Sequence, residues 1–198
     1  MAADNLVAAP ADKSLVRGLT RRGFVLREFE NVFVRRLAGE SLPLVGSRSG
    51  DSNAQVQLLD VHDENALHEF VQVTTRGFHG EEHEPSAALF QATERLALHP
   101  LVETFLVRID GRAVGASSME VRGGVAALIG ATVQPPFRRR GLQQALIHQR
   151  LVRAQELGAD FACVHSSLGG ATERNAQRLG LQLAYTKAIM VLPEGETA

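Results

Sequence analysis

From about Val56 onward, apolar residues follow two periods that alternate along the chain, and the alternation predicts its elements. Val56 to Val61 reads as a strand. Asp60 or Asp63 then caps a helix carrying Leu67, Phe70, Val71 and Phe78 at helical spacing, with Gly77 and Gly80 bracketing its end. Pro85 opens a second helix, through Leu89, Phe90 and Leu96, that breaks at His99-Pro100. Glu103 to Ile109, Asp110-Gly111 and Arg112 to Val121 form a hairpin, because Asp-Gly suits a two-residue primed turn. A turn at Arg122-Gly123-Gly124 leads into Val125 to Val133, an apolar run that reads as a buried strand. Leu142, Leu146, Leu151 and Leu157 then mark a helix stopped by Gly158. Phe161 to Val164 is a strand, Thr172 to Leu179 a short helix, and Leu181 to Val191 a closing strand. The order is strand, two helices, three strands, helix, strand, helix, strand, and it predicts a mixed α/β sheet.

The front of the chain echoes its end. Lys13 to Arg22 is a short helix, Gly23 its cap, and Phe24 to Val34 a strand. Glu173 to Leu179, Gly180 and Leu181 to Val191 have the same order. Aligning Gly23 on Gly180 sets Leu26 on Leu183, Val32 on Ile189 and Val34 on Val191, so an internal repeat is one reading and chance similarity of short amphipathic pieces the other. Leu42 to Asn53 is rich in Gly, Ser and Pro and divides an extension and linker, 1–53, from a domain over 54–198. On the repeat reading, residues 1–53 hold the remnant of a degenerate second lobe. The apolar alternation of Phe24 to Val34 needs cover, so this strand is expected to dock on the domain or on a second copy.

The turn between Val133 and Leu142 carries the chemistry. Pro135 and Pro136 lack amide protons and hold the chain extended, which sets the first available N–H groups at Phe137 and the residues after it. Arg138, Arg139 and Arg140 crowd the start of the helix, where the macrodipole opposes cations at a cost of roughly 0.3–1 kcal/mol each unless an anion docks. The physical reading is an anion-binding helix start. A nucleotide P-loop does not fit, since no Gly-Lys-Ser/Thr end is present, and neither does the dinucleotide fingerprint, which needs a third Gly.

The stretch Val133-Gln134-Pro135-Pro136-Phe137-Arg138-Arg139-Arg140-Gly141-Leu142-Gln143 resembles the acyl-CoA-binding motif of the GCN5-related N-acetyltransferase (GNAT) superfamily, Gln/Arg-x-x-Gly-x-Gly/Ala. Arg138 and Gly141 match, and Gln143 stands where Gly or Ala is usual. The order of elements from about Val56 to Leu192 matches that fold as well. The resemblance implies a mostly antiparallel mixed sheet flanked by helices, here with an N-terminal helix-strand extension. It implies acetyl-CoA as acetyl donor, its pyrophosphate on the turn formed by Arg138, Arg139, Arg140, Gly141, Leu142 and Gln143, and its pantetheine arm against Thr132 and Val133. Asn175, in the short helix, resembles an asparagine that contacts the cofactor arm; the plain alternative is an ordinary polar helix residue. The arm would lie in a gap between Gly130 to Val133 and Cys163 to Ser166. Gly130, inside an apolar strand, marks either a bulge or close packing.

The reaction so implied is direct attack of an amine on the thioester, with an acid for the departing thiolate and no covalent enzyme intermediate. The helix holding Asn175 has no tyrosine, so Tyr185, the sole tyrosine, is the candidate acid. His165 and Glu120 are candidate bases, and a water chain could replace either. These absences keep open a second function, an acyl-CoA-binding or regulatory module without chemistry.

Composition narrows the partners. A formal net charge of −1 over 198 residues argues against nucleic acid, and no apolar run approaches a membrane span. The single cysteine, Cys163, cannot form an intramolecular disulfide and reads as a small core residue, which suits a reducing cytoplasm. His79-Gly80-Glu81-Glu82-His83 matches the letters of a zinc motif, but Gly80 and Pro85 argue for a loop, so no metal is expected. As a loop it would border the acceptor groove. The expected partner is a small-molecule or peptide amine, in a protein that can be a homodimer.

Overall fold

The computed structural model describes residues 13–43, 53–79 and 85–193. The elements run α1 (Lys13–Arg21), β1 (Val25–Arg36), β2 (Gln55–Leu58), α2 (Glu64–His79), α3 (Ala87–Ala97), β3 (Val102–Ile109), β4 (Arg112–Arg122), β5 (Val125–Val133), a 3-10 turn (Pro135–Phe137), α4 (Leu142–Glu156), β6 (Phe161–Ser167), α5 (Ala171–Arg178) and β7 (Gln182–Val191). One seven-stranded sheet results, in the order β2-β3-β4-β5-β6-β1-β7. All its pairs are antiparallel except β5 with β6.

Strand alternation divides the core between the two faces of this sheet. Phe105 and Val107 of β3 join Leu146, Ile147 and Leu151 of α4 on one face. Leu106, between them, joins Leu67, Phe70 and Val71 of α2 on the other. α2 extends to His79, so Gly77 lies inside the helix. A Cβ on Gly77 would sit 2.0 Å from Thr132 Oγ1. The glycine therefore allows close approach of α2 to β5.

The front strand docks on its own domain, as an interior strand between β6 and β7. Phe33 of β1 is fully buried, and the chain beyond β1 is tied down by Gln155 Nε2, which donates to the carbonyls of Leu37 (2.9 Å) and Glu40 (2.8 Å). The ladder between β1 and β7 is symmetric about its midpoint. The offset that carries Gly23 onto Gly180 also carries the pair Leu26–Met190 onto Phe33–Leu183 and the pair Val25–Val191 onto Val34–Gln182. It carries Glu30 onto Lys187, which face each other, and it carries Arg27, the extra residue of one bulge, onto Ala184, the extra residue of the other. The helix caps correspond too: Gly23 N–H donates to Thr20 and Phe24 N–H to Leu19, as Gly180 does to Gln177 and Leu181 to Ala176. Both glycines are left-handed, with φ of 84° and 79°.

Candidate active site

The site begins where β5 parts from β6. Their parallel pairing runs from Val125–Phe161 to Leu128–Val164 and stops. Gly130 follows at once, with φ 44°, as the extra residue of a bulge opposite Ser117 and Ser118 of β4. Gly130 is thus a bulge, and since Cys163 still pairs with Ala127, the gap opens at His165 rather than at Cys163. Arg150 of α4, completely buried, holds the bulge from one face: its Nη1 donates to the carbonyls of Ser118 (2.9 Å), Ile129 and Gly130 (both 3.3 Å). Burial pushes its pKa down to about 9, which leaves it cationic at neutral pH.

The parted strands enclose a cavity of about 260 Å³. Arg150, Val164, Ser166 and Thr172 line it, as do Glu30 and His165, while Phe78 of α2 stands over Gly130. Glu30, Lys187, His165 and Tyr185 share one face of β6, β1 and β7, since Glu30 lies opposite Lys187 and Val32 opposite both Tyr185 and His165. Lys187 Nζ donates to Glu30 Oε2 at 2.8 Å and lies 3.1 Å from His165 Nδ1. The lysine holds the Glu30 carboxyl below the usual range, chiefly through that hydrogen bond. Burial, then the Lys187 charge, lowers His165, so the imidazole is neutral near pH 7 and can accept a proton.

A second, larger cleft of about 1240 Å³ shares Phe78 and Ala131 with the first. Arg138, Arg139, Arg140, Arg174 and Arg178 line it, and no carboxylate is among its described lining residues. Gly141 caps α4 in the left-handed conformation without a side-chain acceptor, and the first helical bond of α4 is Ala145 N–H to the Gly141 carbonyl. The N–H groups of Leu142, Gln143 and Gln144 therefore lead the helix into the cleft.

Several expected donors are used differently. The Phe137 and Arg138 amides close the 3-10 turn on Gln134 and Pro135, so the prolines start a turn rather than an extended run, and the amides at the start of α4 come later than the double proline suggests. The Arg138 guanidinium turns inward, donating to the carbonyls of Val133 (2.9 Å) and Gly77 (3.2 Å), and so fixes the turn against β5 and α2. Arg140 lies over the Phe137 ring at 5.2 Å. Gln143 directs its side chain to α5: Nε2 donates to Thr172 Oγ1 (3.0 Å) and Oε1 accepts from Asn175 Nδ2 (2.6 Å). Asn175 Oδ1 accepts from Gln144 Nε2 (3.0 Å), so Asn175 ties α5 to α4 while lining the cleft.

Of the candidate proton carriers, His165 lines the cavity, Tyr185 lies on the same sheet face, and Glu120, opposite Ala127 and Val102, lines neither cavity. Glu30, Lys187, Phe78 and Gly77 complete the site without having been singled out for it. Extending the alignment of Gly23 on Gly180 pairs Glu30 with Lys187, a signal the sequence did hold. Residues 80–83 of the His79 to His83 motif lie outside the described residues.

The model of the acetyltransferase (GNAT) family matches residues 65–180, more than half of the chain, and the chain belongs to that family. Among solved structures, it is similar to a GCN5-related N-acetyltransferase from Kribbella flavida (TM-score 0.65, 19% identity), covering 94% of this chain and 66% of that one. It is also similar to one from Sphaerobacter thermophilus (TM-score 0.66, 16% identity), over 93% of this chain and 57% of that one. The chain thus spans less than two thirds of either relative. A third similar structure is AAC(6')-Iy in complex with the bisubstrate analog CoA-S-monomethyl-acetylneamine (TM-score 0.56, 19% identity), over 68% of this chain and 94% of that one. No curated protein matches in sequence.

Proposed function

We propose that this chain transfers an acetyl group from acetyl-CoA to a primary amine. One observation carries the reading: a cleft with five arginines and no described carboxylate joins a cavity between parted strands where a carboxylate and a neutral imidazole meet. The arginine cleft suits the phosphates of a coenzyme, and acetyl-CoA brings the thioester. Glu30 holds the incoming ammonium group by charge. His165 accepts its proton, which releases the lone pair for attack on the carbonyl. Tyr185, on the same face, is the candidate acid for the thiolate.

The acceptor class is a cationic small molecule, a reading supported by Glu30 and by the CoA-acetylneamine analog bound in the AAC(6')-Iy structure. Incubation with acetyl-CoA and a panel of amines, with thiol release as the readout, tests the activity; tight CoA binding without turnover on any amine assigns a binding module instead.

The symmetry of β1 and β7 supports reading α1 and β1 as the closing unit of a second lobe of the same type. Val32 and Phe33 are 3% and 0% exposed, whereas their counterparts Ile189 and Met190, on the terminal strand of the sheet, are only partly covered. This edge is where a homodimer would form.

A further inference from the structure

The chain has nineteen arginines and two lysines, Lys13 and Lys187. Guanidinium groups remain charged and take no acetyl group under these conditions, and an acetylated imidazole hydrolyses, so only two side chains can keep an acetyl group on nitrogen. Lys13 starts α1 at the exposed end of the described chain, while Lys187 of β7 contacts two residues that line the cavity between β5 and β6. Its Nζ is 2.8 Å from Glu30 Oε2 and 3.1 Å from His165 Nδ1, and both partners line that cavity with Gly130 and Ala131. An amine, a carboxylate that orients it and an imidazole that can accept its proton are thus already assembled. They sit beside the strand, Ala131 to Val133, that continues into the arginine cleft.

We propose that Lys187 is itself an acetyl acceptor, modified by its own chain; this rests on the acyl-CoA reading above. His165 Nδ1 takes a proton from the Nζ ammonium. The freed lone pair attacks the thioester carbonyl carbon, forming the C–N bond. The tetrahedral species collapses with cleavage of the C–S bond, the electron pair leaves on sulfur, and the second Nζ proton passes to the thiolate. His165 returns its proton to solvent. The products are a neutral acetyl-lysine and free CoA, with no redox change. Acetylation removes the charge of Lys187 and with it the ion pair to Glu30, which leaves the carboxylate available to an incoming ammonium group. Because amine and cleft belong to one molecule, the step gains from fixed proximity and does not depend on protein concentration.

The test uses the full chain, isotope-labelled acetyl-CoA and peptide mass spectrometry, with CoA binding measured in parallel by calorimetry. The expected result is one labelled acetyl group, on Lys187, at a rate independent of protein concentration, while Lys13 stays unlabelled over the same time. Lys187→Arg, which keeps a cation for Glu30, binds CoA and takes no label there. His165→Asn binds CoA and labels Lys187 roughly a hundred-fold more slowly. Label on Lys13 as fast as on Lys187, or none on Lys187 while CoA binds, overturns the proposal and leaves the acyl-CoA reading standing. Absence of CoA binding overturns both.

Discussion

Glu30 and Lys187 lie opposite each other at the midpoint of the β1–β7 ladder, joined by a 2.8 Å ion pair, and the internal offset that relates the two strands exchanges the one for the other. Structurally equivalent positions thus carry opposite charges, and both reach the cavity side of the sheet. The pair makes the front of the chain part of the site: removing β1 removes a cavity carboxylate as well as a core strand.

Charge reversal tests this relationship. Glu30→Lys sets two cations and His165 together and lowers the melting temperature, while Glu30→Lys combined with Lys187→Glu restores it. Both side chains are about one-third exposed (28% and 33%), so the expected coupling is modest, about 0.2–1 kcal/mol. A double-mutant cycle by thermal denaturation measures it; additive effects would mean that the two charges do not interact.

Gly77→Ala should disturb stability and cofactor binding together. The new methyl group falls 2.0 Å from Thr132 Oγ1 and 2.9 Å from its Cβ, so α2 must move off β5. Overpacking of this kind costs roughly 1–3 kcal/mol. The displaced Gly77 carbonyl also loses the Arg138 guanidinium that fixes the turn before α4. Chemical denaturation and CoA titration check both effects, and partial restoration by Gly77→Ala with Thr132→Ala, which removes the Oγ1 and Cγ2 contacts but keeps the Cβ, would assign them to this contact.

If His165 is the base, the pH profile of acetyl transfer should report on it. Its folded pKa lies below the ordinary value of 6.5, first through burial and then through the Lys187 charge. Only the neutral ring accepts a proton, so kcat/KM should hold through neutral pH and fall as pH drops through that lowered pKa. His165→Asn removes the ring, and the acid limb should disappear with it. A limb unmoved in this variant would separate His165 from the proton transfer.

How far the sequence reveals this protein depends on range. Val125 to Val133 and the turn after it are legible because apolar continuity and the double proline are local signals, but the prolines start a 3-10 turn rather than an extended run, and α4 begins at Leu142, after the arginines that the sequence placed at its start. Gly130 in an apolar strand proved to be the bulge that opens the gap. The partners of these elements were less legible. β1 pairs with β6 and β7, more than a hundred residues away, and the alternation of its side chains marks a strand in need of cover without saying where that cover lies. The same limit hid the site roles of Gly77 and Glu30, and it concealed that Arg138 faces Val133 and Gly77. Gln143 looked like a departure from the motif at the point of closest backbone approach. Its side chain instead bridges α4 to Thr172 and Asn175, and this leaves the backbone amides facing the cleft.

On the acyl-CoA reading, the start of α4 and the arginines around it hold the diphosphate of the coenzyme. Gly141 has φ 80° with open space around the position of a Cβ, so a side chain there strains the backbone and projects into the cleft. Calorimetric titration of CoA into the wild-type chain and into folded Gly141→Glu is the most direct measurement. The wild type should bind one CoA per chain and the variant none detectably; equal affinity in the two would remove the diphosphate from this helix start.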